Sequence, residues 1–232
     1  MSFPLLAAGA SRGLVTHLQQ RFAAATGTAL APVFAAAGAV RDQVVAGAPG
    51  EVVILTAALL EELAARGLVA RPILPIGLTR TGIAVPEGRA APDIATGDAL
   101  RAALLAADGV YVPDPQISTA GIHFMGVLRG LGIEAAVAPR LRPFPTGAAA
   151  MRALAGAPEA GAIGCTQITE IVDTPGLAVV GPLPEPHGLA TVYACAIRAG
   201  AAQPEAARAL VAFLTGAETA SLRDAEGFER PE

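Results

Sequence analysis

The stretch Phe34–Leu55, FAAAGAVRDQVVAGAPGEVVIL, contains a helix with nothing to start it. The apolar positions Val40, Val44 and Val45 follow helical spacing, and AGAPG at 46–50 breaks the pattern. EVVILT at 51–56 then reads as a buried strand, and ALAPVFA at 29–35 as a strand interrupted by Pro32. A helix normally begins at a Ser, Thr, Asp or Asn that accepts from its free N–H groups. Here there is only Ala35-Ala36-Ala37-Gly38-Ala39. Either a bound anion or water and a neighbouring loop must meet those donors.

Outward from this stretch the same alternation continues. PLLAAG (4–9) reads as a strand and 11–27 as a helix closed by Gly27. A helix at 57–67 stops at Gly67, and GLTRTGIAVPEG (77–88) contains a strand. Thr96 caps a helix over 96–109, VYVPDP is a strand, and helices follow over 120–133 and 148–161. AIGCTQ, LAVVGPL and ATVYACAIRAG read as strands, and a helix with Pro204 at its first position closes the pattern over 204–216. Strand and helix in alternation predict an α/β fold with mostly parallel sheets, in two runs at 1–78 and 84–180.

Composition excludes several classes. The chain has 232 residues, 53% of them hydrophobic and 16% charged, and a net charge of −4. Its 16 basic residues are all Arg and form no block or stripe, and aromatics reach only 4%, so a nucleic-acid partner is not expected. Cys165 and Cys195 have no metal-ligand spacing and read as two buried free thiols, with pairing in an oxidising compartment as the alternative. HExxH, CxxC, Walker, GxSxG and GxGxxG patterns are all missing, so neither a metal nor a cofactor is expected. No apolar run is long enough to span a bilayer. MSFPLLAAGASRG lacks the features of a signal peptide, so the chain as given is expected in the cytoplasm, or in the periplasm if a signal has been removed.

In α/β sheets ligands sit beyond the carboxyl ends of the strands. Three strand-to-helix turns are rich in Ala and Gly and poor in capping side chains: AAGASRG (7–13), FAAAGAV (34–40) and STAGIHF (118–124). Each offers backbone N–H donors and the positive end of a helix dipole, which suits an anion.

Five segments, AAGASRGLVTHLQQRFAAATG, FAAAGAVRDQVVAGAPGEVVIL, LAARGLV, DPQISTAGIHFMGVLRGLG and EAGAIGCTQITEI, fall in an order and spacing similar to periplasmic solute-binding proteins. The sequence resembles the molybdate-binding branch over nearly its whole length, and PEAARALVAFLTGAETASLRDAEGF is similar to that family's C-terminal helices. The resemblance implies a two-lobe fold with a ligand cleft between lobes, lobe 1 from 1–80 plus 188–232 and lobe 2 from 81–187. It also implies a membrane component of an ABC transporter as partner, if the chain is exported.

In molybdate binders of this kind, hydroxyl side chains in the first two helix-start loops grip the oxyanion. The matching positions here are near Ala10 and Ala37, with Ser11 beside the first. This departure favours an organic carboxylate over molybdate, held by backbone N–H groups and an Arg. The expected ligand-binding residues are Ala10, Ser11, Arg12, Ala37, Gly38, Ala39, Arg80, Ser118, Thr119, Ala120, Gly121 and Gln167, with Arg41 a further cation near a cleft loop. Gln167 or Thr166 has an alternative reading as a helix cap, completed by Glu170. Asp114 before Pro115 reads as a turn-former.

The same family includes relatives with aconitate isomerase activity. An isomerase of unsaturated carboxylic acids in the same cleft is therefore the rival reading, with His123 as its base, and the absence of a signal sequence adds weight to it. The plainer reading of His123 is a half-buried residue filling an aromatic slot.

Overall fold

A computed structural model describes residues 2–230. The chain divides into two compact units, Met1–Thr79 with Thr191–Glu232 and Arg80–Ala190. Unit 1 runs β1 (Ser2–Ala8), α1 (Arg12–Thr26), β2 (Ala29–Ala35), α2 (Ala37–Val45), β3 (Val52–Thr56), α3 (Ala57–Ala65) and the first half of β4 (Leu74–Pro86). Unit 2 continues with α4 (Gly97–Ala106), β5 (Gly109–Pro113), α5 (Thr119–Gly130), α6 (Glu134–Val137), β6 (Leu141–Phe144), α7 (Gly147–Ala155), β7 (Ala162–Gln167), α8 (Ile168–Val172) and β8 (Leu177–Pro182). Strand β9 (Ala190–Ile197) returns the chain to unit 1, which closes with α9 (Pro204–Thr215) and α10 (Ala220–Ala225).

The sheet of unit 1 is parallel through β2, β1 and β3, and β9 adds antiparallel to β3. In unit 2, β6, β5 and β7 are parallel, and β4 and β8 are antiparallel additions. The expectation of mostly parallel sheets therefore holds only for the two pairings among three strands in each unit. The strands that enter or leave a unit run the other way, a sense that hydrophobic periodicity does not encode. Each sheet ends in a strand that carries a proline, Pro32 in β2 and Pro143 in β6. An edge strand needs only one row of ladder bonds, so it tolerates the missing N–H.

The helix pattern at 148–161 is shorter than the sequence suggests. α7 stops at Ala155, because Gly156 disfavours helix and Pro158 pushes Ala157 out of the helical region. Short β6 and α6 escape the periodicity reading altogether.

Burial explains the helices better than propensity does. α1 turns Leu14, Val15, Leu18 and Phe22 inward at helical spacing, and the Phe22 ring meets Phe3 of β1 at 5.3 Å between centroids. Each such side chain contributes about 1.5–3 kcal/mol by leaving water. α1 ends at Gly27, whose φ of 69° is the left-handed cap conformation. In unit 2 the sheet has two separately packed faces. α5 lays Phe124, Val127 and Leu128 with Ile83, Val110 and Cys165 on one face. α7 lays Ala150, Met151 and Leu154 with Ala84 and Tyr111 on the other.

Candidate functional site

Parallel strands deliver their following helices to one edge of the sheet, the carboxyl edge. In unit 1 that edge carries the starts of α1, α2 and α3. In unit 2 it carries those of α5, α7 and α8. These starts fall into two kinds.

Some are closed by side chains. Thr56 Oγ1 accepts from the Leu59 N–H at α3 (3.3 Å), Thr96 from Ala99 at α4 (3.1 Å) and Thr146 from Ala149 at α7 (3.1 Å). α7 receives a carboxylate as well. Glu170, 6% exposed, accepts from the Ala148 N–H at 3.2 Å and from the Thr166 hydroxyl at 2.6 Å. The glycine at 147 makes room for this, since a Cβ there would overlap the Glu170 carboxylate and the Thr166 oxygen. Glu170, oriented by the Thr166 hydroxyl, thus caps α7 rather than the helix that carries it.

Others have no side-chain cap. α2 begins at Ala36, and its first intrahelical bond is from Val40 N–H to the Ala36 carbonyl (3.0 Å). The amides of Ala37, Gly38 and Ala39 precede that bond. α5 begins at Ser118, whose side chain does not cap it, and Ile122 N–H makes the first bond (2.9 Å). The amides of Thr119, Ala120 and Gly121 stand in the same relation. α1 begins beyond Ala10 and Ser11, again without a side-chain cap. The buried Ser11 hydroxyl donates to the Ala8 carbonyl at 2.8 Å, so its proton is already committed and the backbone is what this start offers. Arg12 is half-buried in the first turn of α1. Arg41 pairs with the adjacent Asp42 at 2.8 Å on the exposed side of α2.

Gly121 has a role that the sequence did not suggest. A Cβ there would overlap the carbonyl oxygens of Pro113 and Asp114, so glycine lets α5 cross directly over the end of β5. Asp114 accepts from the amides of Gln116 (2.7 Å) and Ile117 (3.2 Å), the turn-forming role expected of it. The loops after β5 and β6 enclose a concavity of about 410 Å³ at this edge, lined by Asp114–Ile117 and Pro143–Pro145. A larger hollow of about 610 Å³ in unit 1, lined by Ala25, Thr26 and Ala202–Ala206, lies away from these helix starts and carries no convergent polar set.

Gln167 ends β7. It is 2% exposed, and neither its Oε1 nor its Nε2 has a partner. It does not cap α8, and Thr166 is turned to Glu170, so the capping alternative fails for both. Directly opposite in the β4–β7 register is Thr81, fully buried with its hydroxyl also unpartnered. Ile83 and Cys165, the next pair on the same face, pack under α5. Strand alternation therefore puts Thr81 and Gln167 on the α5 side of the sheet, at the edge where α5 begins. Arg80 falls on the other face with Gly82, which Ile168 of α8 covers. Thus Gln167 and the Ser118–Gly121 start come together in unit 2, and Arg80 does not join them on that face.

Sequence reasoning missed Thr79, Thr81, Thr169 and Thr191, whose buried hydroxyls likewise lack partners. Thr191 lies at the carboxyl edge of unit 1, two residues from Tyr193, which pairs with Thr56. A threonine in a strand reads as ordinary β-former, and nothing local marks its oxygen as unsatisfied. Each orphaned group costs about 1–3 kcal/mol.

His123 is half-buried in α5, and its Nε2 donates to the His187 carbonyl at 2.8 Å. That bond places the proton on Nε2 and leaves Nδ1 as the basic nitrogen. His17 is exposed and sits 2.8 Å from Glu226. Cys165 and Cys195 are buried free thiols. Burial pushes both thiols up, Cys195 to about 12, so neither supplies a thiolate near neutral pH. Among the described residues no His, Cys, Asp and Glu cluster could hold a metal.

The model of the bacterial extracellular solute-binding proteins matches residues 4–229. The chain belongs to that family. Among solved structures, the periplasmic molybdate-binding protein of Azotobacter vinelandii superposes with a TM-score of 0.80 at 19% identity over 99% of this chain and 100% of that one. The sulfate-binding protein SubI of Mycobacterium tuberculosis H37Rv superposes at 0.76 with 17% identity, over 98% of this chain and 86% of that one. At these identities the likeness establishes the fold, the type II fold of periplasmic binding proteins. An aconitate isomerase of a Pseudomonas species is 27% identical over 97% of this chain and 86% of its own length. The family is described as extracellular, which favours the periplasmic alternative over the cytoplasmic one among the two expectations for this chain.

Proposed function

We propose that this solute-binding protein takes a small organic carboxylate on the backbone amides of bare helix starts, the kind that α1 and α2 present in unit 1 and α5 in unit 2. The observation that carries this is the α2 start, where Ala36, Ala37, Gly38 and Ala39 offer amides and no hydroxyl. A tetrahedral oxyanion needs several convergent donors to replace its hydration. A carboxylate needs fewer, and two or three backbone N–H groups at a helix start suffice. A membrane transporter would receive the ligand from an extracytoplasmic receptor of this kind.

A thermal-shift panel tests the reading, with molybdate, tungstate and sulfate against citrate, both aconitate isomers and smaller dicarboxylates. A ligand at about 100 times its Kd adds roughly 2.7 kcal/mol, a rise of roughly 5–10 °C for a chain of this size. Stabilisation by oxyanions alone would overturn the carboxylate reading.

The aconitate isomerase relative supports a second reading, catalysis at the same anchors. His123 Nδ1 would take a proton from the methylene next to the double bond and return one at the far end of the allylic system. Incorporation of solvent deuterium into either aconitate isomer, followed by NMR, would favour it. Binding with no exchange leaves the receptor.

A further inference from the structure

We infer that the carboxylate ligand carries a hydroxyl group, and that Gln167 reads it. This rests on the carboxylate reading above and adds to it a requirement on ligand chemistry. Gln167 keeps both ends of its carboxamide buried and unpartnered, on the sheet face and edge where α5 begins without a cap. Turning the amide over changes nothing, because one donor and one acceptor stay unmet either way. The Nε2 hydrogens and the Thr81 hydroxyl can donate to a carboxylate. Oε1 can only accept, and an ionised carboxylate, sulfate or molybdate offers it no proton.

The ligand must therefore bring a donor of its own. An ammonium would place its charge against the positive end of α5, which disfavours it. A neutral hydroxyl does not. A hydroxy acid satisfies the whole set: its carboxylate meets the α5 amides and Nε2, and its hydroxyl donates to Oε1. A site built to bond such a hydroxyl rejects the analogue lacking it, because the buried oxygen is then left alone.

Calorimetric titration tests this with two matched pairs, citrate against tricarballylate and malate against succinate, on wild type, Gln167→Leu and Thr81→Val. The hydroxylated member of at least one pair should bind wild type tenfold or more tightly. Gln167→Leu should bring that ratio to within about twofold and still bind the deoxy acid. It should also raise the Tm of the unliganded protein, because it removes two unpaired groups, and that rise separates the result from misfolding. Thr81→Val should weaken both members and keep the ratio. Equal affinity within twofold in wild type, as a water on Oε1 would give, overturns the inference and leaves the carboxylate reading standing. A hydroxyl preference that survives Gln167→Leu also overturns it. If none of the four acids binds while an aconitate does, the inference is overturned and the carboxylate reading stands; if no carboxylate of the thermal-shift panel binds either, that reading itself has failed.

Discussion

Helices α2 and α7 occupy equivalent places, each following the proline-bearing edge strand of its unit, and they begin in opposite ways. At α7 the protein fills its own anion site. Thr146 caps one amide, Glu170 takes another, and Gly147 vacates the space that the carboxylate needs. At α2 the same position holds Ala36 and no side chain reaches the amides. The same helix-start physics thus serves closure in one unit and availability in the other. The difference shows where the chain spends polar side chains on stability and where it withholds them.

The comparison breaks most visibly at α7. Gly147→Ala forces the Glu170 carboxylate off its amide, and overpacking plus an unmet buried donor should cost about 3–4 kcal/mol, read by denaturant unfolding. A cost under about 1 kcal/mol would mean that the carboxylate is not seated there. Glu170→Ala empties the site without crowding and should cost about 2–3 kcal/mol. Formate should then restore part of the lost Tm, more than it raises wild type, because the vacated start has become like that of α2. No rescue would indicate that Glu170 acts through its other contacts.

Ala36→Asp makes the opposite change. It supplies the absent cap, so the unliganded protein should gain about 1 kcal/mol. Carboxylate affinity should fall at least tenfold, because the new side chain occupies the amides and repels the ligand. Unchanged affinity would remove α2 from the site. Thr96→Ala, at a closed start away from the proposed anchors, should cost about 0.5–1 kcal/mol and leave affinity alone. A loss of binding there would show that capping stability, rather than an open start, is what the other variants measure.

The uncapped starts were legible from sequence because a cap is a local matter: Ala36 either has a hydroxyl or it does not. The same holds for the Gly27 stop and for Thr96. Long-range pairing is not local. That Glu170 serves a helix 22 residues earlier depends on β6 and β7 ending at one sheet edge, and β6 itself was hidden behind Pro143. Gln167 was visible as a strand-end polar residue, but its partnerless state depends on Thr81 across the sheet. Arg80 looked like a natural carboxylate anchor, and a single residue of strand register puts it on the other face from Gln167. Gly121 was expected at the ligand, and its second role, making room for the carbonyls of Pro113 and Asp114, depends on packing that no local pattern shows.

The measurement that tests the central claim most directly is amide-resolved NMR of the uniformly labelled protein, titrated with a carboxylate that binds. The account predicts that the N–H signals of an open start, Ala37–Ala39 in unit 1 or Thr119–Gly121 in unit 2, shift and become slower to exchange, while Ala148 and Ala149 stay in place. Perturbation centred on the α7 start, or on the hollow around Ala25 and Pro204, with the open starts unmoved, would contradict it.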